Sequence, residues 1–158
     1  MDPIYKGDFY IKNQYADLYK RNRIIKKLEV ERNYKALVKE YNSILNIIEK
    51  SNDALKLGIT YNLLGVALSY IGDVENAIKN AKKSLILIEP LDDKFLIAEI
   101  NYNLACFYCL KGSKQEAINY FQKVIRNDNE FSKFFKESAK KDPQLEECRK
   151  NPDFFKLL

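Results

Sequence analysis

The chain has 158 residues, 46% of them hydrophobic, with a net charge of +5 from 27 basic and 22 acidic side chains. That length suits one domain able to bury a core, and five glycines with four prolines argue against disorder or a β-rich fold. No histidine is present, which removes the commonest general base, the commonest metal ligand and every nucleophile paired with an imidazole.

Met1 to Gly7 reads as an irregular lead without the basic-then-apolar order of a signal peptide. From about Asp8 to Leu28, Tyr15, Leu18, Ile25 and Leu28 recur at helical spacing and predict a first helix. Five of the eight residues from Lys20 to Lys27 are basic. A second helix is expected near Asn33 to Lys50, with Leu37, Tyr41, Ile44, Leu45 and Ile48 on one face. Ser51-Asn-Asp53 is a capping cluster that opens a third helix running to Ile71. Gly72 then sits where a left-handed helix stop needs no Cβ, and Asp73 caps a fourth helix that ends before Pro90. Asp92 or Asp93 caps a fifth helix to Lys111, and Gly112 repeats the stop. Ser113-Lys-Gln-Glu116 has the form of a capping box for a sixth helix to about Arg126. Asn127-Asp-Asn129 is a break. Beyond it, Phe131, Phe134, Phe135 and Ala139 form an apolar stripe on a short helix. Asp142-Pro143 and Asn151-Pro152 each pair a cap with a proline at a first helical position. Leu145, Cys148, Phe154, Phe155, Leu157 and Leu158 follow on short helices.

Much of this is one pattern written twice. At an offset of 40 residues, Leu64 meets Leu104, Gly72 meets Gly112, Ala77 meets Ala117, Ile78 meets Ile118 and Lys83 meets Lys123. A fixed internal period is the mark of a repeat architecture. Counting from Gly58, small residues fall at the eighth, twentieth and twenty-seventh positions (Gly65, Ala77, Ser84); counting from Ala98, Ala105, Ala117 and Phe121 fall at the eighth, twentieth and twenty-fourth. These positions resemble the tetratricopeptide repeat family, whose unit is about 34 residues. The chain departs from it at Tyr61 and Asn101, where tryptophan is frequent, and at Ala81, where an aromatic is usual. The longer period implies about six extra residues around Glu89–Phe95.

The resemblance implies an all-α, right-handed superhelix of about three antiparallel helix pairs. The expected division of the single domain 1–158 is a degenerate repeat at 8–50, where Ala36 or Leu37 takes the twentieth position. Clear repeats follow at 51–90 and 92–127, with short capping helices at 130–158. A stack of repeats leaves its last apolar face open, and the C-terminal segment, similar to the end of many bacterial members, is expected to close it. The family also implies a protein-interaction module that binds a peptide or helix of a partner protein in a concave groove. The matching groove positions are Ile59, Asn62, Val66, Ser69 and Tyr70 in one repeat and Glu99, Tyr102, Cys106, Cys109 and Leu110 in the next, with Asn103 beside them. Asn62 and Asn103 have amides that both donate and accept, as a peptide main chain requires. The groove is open, or it is filled by the protein's own first or last helices. Co-chaperone members clamp a carboxylate with lysine, asparagine and arginine; Glu99 and Ile59 at the second position argue against that ligand here.

Other constellations point away from chemistry. Cys106-Phe-Tyr-Cys109 has redox or metal spacing, but it lies mid-helix, without the helix N-terminus that lowers a thiol pKa. A zinc site needs four ligands, and the pair reads as two soft apolar residues. An odd cysteine count of three fits a reducing compartment better than a disulfide framework. With no phosphate loop and no paired carboxylates on an apolar face, the expectation is no enzyme, no cofactor and no metal. No apolar run approaches the roughly 18 residues of a membrane span, so the expected location is the cytoplasm. The Lys20–Lys27 run supplies the alternative, a basic adaptor for nucleic acid or an anionic surface. Its charges spread round the helix with Glu29, Glu31 and Glu40 near enough to compensate, which favours a solvated face. The sequence leaves the partner's identity and the oligomeric state open.

Overall fold

The computed structural model describes residues 16–126 and 130–158. The expected lead at 1–7, the helix start at 8–15 and the break at 127–129 lie outside them. Among the described residues every regular element is helical: α1 (Ala16–Val30), α2 (Tyr34–Ile48), α3 (Ala54–Tyr70), α4 (Val74–Ile88), α5 (Lys94–Leu110), α6 (Lys114–Ile125), α7 (Glu130–Ala139), α8 (Glu146–Arg149) and α9 (Pro152–Phe155). Three short 3-10 turns, at Glu49–Ser51, Glu89–Leu91 and Pro143–Leu145, join them. Consecutive helices pack as neighbours, α1 on α2, α3 on α4 and α5 on α6. The chain divides into two compact units, Met1–Leu91 and Asp92–Leu158.

In the first unit the expected face of α2 is the buried one: Leu37, Tyr41, Ile44, Leu45 and Ile48 are all in the core. The helix starts where a side chain accepts a free amide. Asn33 accepts from the Ala36 amide, Asp53 from Lys56 and Asp73 from Asn76. Gly72 and Gly112 have φ of 84° and 82° and end α3 and α5 as expected. Arg32 takes the same left-handed conformation, φ 52°, between α1 and α2. It stands 40 residues before Gly72, as Leu37 stands 40 before Ala77. Asn52 and Asp92, also 40 apart, are left-handed too, φ 51° and 56°. Each follows a 3-10 turn and precedes the capping Asp53 or Asp93. The extra residues of the long period are therefore spent on this turn and on the lengths of the helices around it.

Close packing of α3 on α4 rests on Gly58. A Cβ there would lie 2.6 Å from Ile88 Cδ1, and the bare carbonyl accepts from Ser84 Oγ at 2.6 Å. Buried residues run round much of the circumference of α3 and of α5, whereas α2, α4 and α6 each bury one face. This is why an apolar stripe is clear in the second helix of each pair and faint in the first.

In the second unit the C-terminal segment closes over the last pair. Phe135, Leu145, Cys148 and Phe154 are buried, and the Phe154 ring lies 5.1 Å from Phe121. Asp142 and Asn151 cap the turns that follow them, each with its proline at the start. Three expectations fail here. Ser113 stands at the start of α6 but makes no capping hydrogen bond. The reading of the cysteines against a disulfide is also overturned. Cys109 of α5 and Cys148 of α8 form one, with Cα atoms 5.7 Å apart, and Cys106 is the free, buried thiol. The fold brings together residues 39 apart in sequence, which parity of the count does not register. Phe155, expected in the apolar set, is exposed.

Candidate functional site

The eleven expected groove residues divide between the two units. On α3, Ile59, Asn62 and Ser69 are buried, Val66 is half-buried and Tyr70 is about half exposed. Ser69 Oγ donates to the Val66 carbonyl one turn back, at 2.8 Å. Tyr70 ends α3 and stacks on Tyr34, the first residue of α2, with ring centres 4.2 Å apart and planes within 10°. Gly72 and Asn33 place the two tyrosines, because each fixes the helix terminus beside its ring. Stacked rings form a rigid aromatic plate with little rotamer entropy left to lose.

On α5, Glu99, Tyr102 and Cys106 are buried and Asn103 is half-buried. Asp142, at the start of the cap, takes the polar atoms of this face. Its Oδ2 accepts from Tyr102 Oη at 2.9 Å and from Cys106 Sγ at 3.8 Å, while its Oδ1 accepts from the Gln144 amide. Arg149 Nη1 donates to the Ala139 and Asp142 carbonyls at 2.8 and 2.6 Å. Phe135 lies against Tyr102, ring centres 5.0 Å apart. Burial first, then Cys106 and Asp142, pushes the Tyr102 hydroxyl far above its usual range, so it stays a donor. Burial and then Asp142 likewise raise the Cys106 thiol, which is inert as a nucleophile. Two of the expected groove residues of this repeat, Tyr102 and Cys106, are thus occupied by the chain's own C-terminal segment. Cys109, a neighbouring groove position, is taken by the disulfide.

The Lys20–Lys27 run is partly compensated. Arg21 pairs with Glu40 at 2.9 Å and Lys27 with Glu31 at 3.8 Å, and Glu29 accepts from Tyr41 Oη. No three His, Cys, Asp or Glu side chains among the described residues are grouped to hold a metal. No described helix is long and apolar enough to cross a membrane.

A second concavity, which sequence reasoning missed, lies in the first unit between α2 and α4, floored by α3. Asn42 and Asn46 on α2 and Asn76 and Asn80 on α4 line a cleft of about 430 Å³. The signal was available as two asparagine pairs at i, i+4 spacing, each on one helix face, but only the packing sets the two faces on one cleft.

The tetratricopeptide repeat family model matches residues 56–130. An uncharacterized protein named ycf37 from Cyanophora paradoxa is 34% identical over 132 aligned residues, with 72% of this chain and 71% of the relative covered. No solved structure matches.

Proposed function

The chain belongs to the tetratricopeptide repeat family, and from that premise we propose that it is a non-catalytic module that binds a segment of a partner protein. Repeats of this family mediate protein–protein interaction, and the chain's chemistry agrees, because its buried tyrosine and thiol are held protonated by burial and by Asp142. The observation that carries the proposal is the Tyr34–Tyr70 stack at the end of α3, in which Tyr70 is about half exposed and Tyr34 half-buried, with Val66 one turn before it. Rigid aromatic side chains at a surface are the usual anchors of protein interfaces. Of the expected groove residues, Val66, Tyr70, Asn103 and Leu110 keep accessible surface, and the first two share one helix. A partner segment of about 10 residues anchored there is expected to bind at micromolar strength, since ordering costs cancel much of the contact energy.

Affinity capture on the immobilised chain, from lysate of its source organism, tests the reading. Tyr70→Ala is the informative variant, because Tyr102 is enclosed by the cap. The expected result is a retained protein that Tyr70→Ala loses and that survives a rise from about 50 to 200 mM salt. Retention indifferent to Tyr70→Ala removes the reading. Loss of binding across that salt range would favour the alternative, an anionic partner on Lys20–Lys27.

A further inference from the structure

The cleft between α2 and α4 carries the same polar pattern on both walls. On α2, Asn42 and Asn46 are followed by Glu49; on α4, Asn76 and Asn80 are followed by Lys83. The spacing, four residues and then three, is identical. Tyr61 on the floor sets the level of one wall against the other. Its Oη donates to Glu49 at 3.2 Å, and Lys83 Nζ stands 5.0 Å over its ring. The walls also run in one direction, because α3 is antiparallel to both. Tyr34 at the start of α2 stacks on Tyr70 at the end of α3, and Gly58 in the first half of α3 accepts from Ser84 in the second half of α4. Counted back from the two partners of Tyr61, Asn46 stands level with Asn80 and Asn42 level with Asn76. The result is two tiers of facing amides, about 6 Å apart along the helix axes.

These amides are held in place and still have groups to offer. Asn42 Nδ2 donates to the Val38 carbonyl at 2.9 Å and Asn80 Nδ2 to the Asn76 carbonyl at 2.8 Å, each one turn back on its own helix. Each bond uses one amide hydrogen and leaves the other, together with the oxygen. Asn46 makes no hydrogen bond among the described residues. Asn76 commits its nitrogen further, donating to both oxygens of Asp73 at 2.9 and 3.1 Å, and keeps its oxygen. The charged groups already have partners within the protein: Asp73 has Asn76, Glu49 has Tyr61, and Lys83 has the Tyr61 ring. What the cleft turns towards a ligand is therefore neutral, with donors and acceptors side by side. Leu45, Leu64 and Leu68 lie buried beneath it.

We propose that this cleft is a second binding site, which takes the main chain of an extended, uncharged segment of a partner protein. It is distinct from the expected groove, whose residues are on α3 and α5, because its walls are α2 and α4. In an extended chain the N–H and C=O of one residue point to the same side, and those of the next residue to the other. Each wall thus meets one such pair every second residue, about 6.6 Å apart, which matches the step between asparagines. A side-chain amide accepts from that N–H with its oxygen and donates to that C=O with its nitrogen. With the main chain turned to the walls, the side chains point by turns to the leucine floor and to solvent. A helical segment cannot use the ladder, because its main-chain groups are bonded to one another.

The test uses the full chain and the blocked peptide acetyl-Ser-Val-Ser-Val-Ser-amide, read by the side-chain amide resonances of the asparagines. Saturable shifts are expected at Asn42, Asn46 and Asn80, with a dissociation constant on the order of 1 mM for so short a segment. The counterpart with the N–H groups of both valines replaced by ester oxygens should bind at least about tenfold more weakly. Asn46→Leu, an exposed change on α2 that breaks no described hydrogen bond, should weaken the peptide at least about fivefold at an unchanged melting temperature. Tyr70→Ala should leave the shifts as they are, which separates this site from the Tyr70 surface. Equal binding of the ester peptide would overturn the proposal. So would shifts that ignore Asn46→Leu, shifts that Tyr70→Ala removes, or no shifts at these amides up to about 10 mM peptide.

Discussion

The left-handed residues show how far one side chain is decided by local backbone geometry. Gly72 and Gly112 have positive φ, and a Cβ on either would meet nothing within 4 Å. A substitution there is opposed by backbone strain alone. Gly72→Val or Gly112→Val is expected to lower stability by about 1 kcal/mol or more in denaturant unfolding. Arg32 holds the equivalent conformation with a full side chain and is exposed. Arg32→Gly is therefore expected to stabilise the protein, by up to about 1 kcal/mol once the greater freedom of glycine in the unfolded chain is subtracted. A destabilised Arg32→Gly, together with neutral glycine variants, would contradict the turn assignments. The chemical character of a residue was legible here, but at Arg32 its conformation was not, because arginine carries no local signal for a left-handed turn.

At the scale of the element, helix starts are governed by single carboxylates and amides. Asp53 accepts from the Lys56 amide at 3.0 Å and pairs with Lys56 Nζ at 3.1 Å at the start of α3. Partial burial alone would raise its pKa. The hydrogen bonds and charge of Lys56 outweigh that and hold it below its usual 3.8. A carboxyl whose pKa is depressed by folding contributes stability that is complete above its unfolded value and is lost as pH falls through the folded one. Asp53→Asn keeps a capping oxygen but removes the charge. It should cost up to about 1 kcal/mol near neutral pH, the upper end for an ion pair because its lysine is buried, and nothing below the folded pKa. Asp53→Ala removes the cap as well and should cost about 0.5–2 kcal/mol at neutral pH. Unfolding free energies measured between neutral pH and about pH 2 separate the two; an Asp53→Asn deficit that persists at the acid end would refute the charge argument.

For the whole molecule the decisive feature is how the last helix pair is ended. Repeat stacks need a terminal element whose outer face tolerates water, and here Phe135, Leu145 and Phe154 supply the inner one. The Cys109–Cys148 disulfide ties this cap to α5 across a separation of 39 residues. Closing such a loop restricts the unfolded chain and is worth about 2–4 kcal/mol. Reduction by a dithiol, or Cys148→Ser, is expected to lower the melting temperature, and the variant should no longer respond to reductant. Alkylation in denaturant without reductant should label one cysteine. Three labelled cysteines, or a melting temperature blind to reductant, would rule the cross-link out. The same bond removes the ground on which cysteine count alone pointed to a reducing compartment.

The helix pairs, most of their caps and stops, and the buried face of α2 were legible in the order of the residues. Each of these depends on residues within one or two turns of each other, where backbone hydrogen bonding and side-chain period leave few choices. Ser113 marks the limit even of that rule, since its position was right and its hydrogen bond is absent. Which surfaces stay open depends instead on packing between distant segments. Tyr102 and Cys106 were expected in the groove, yet they face Asp142, 40 and 36 residues away. Whether a polar side chain on a helix meets solvent, a partner or its own chain is set by the element packed over it. That choice is made between distant segments by the burial of apolar faces such as Phe135 and Phe154, and no local spacing encodes it.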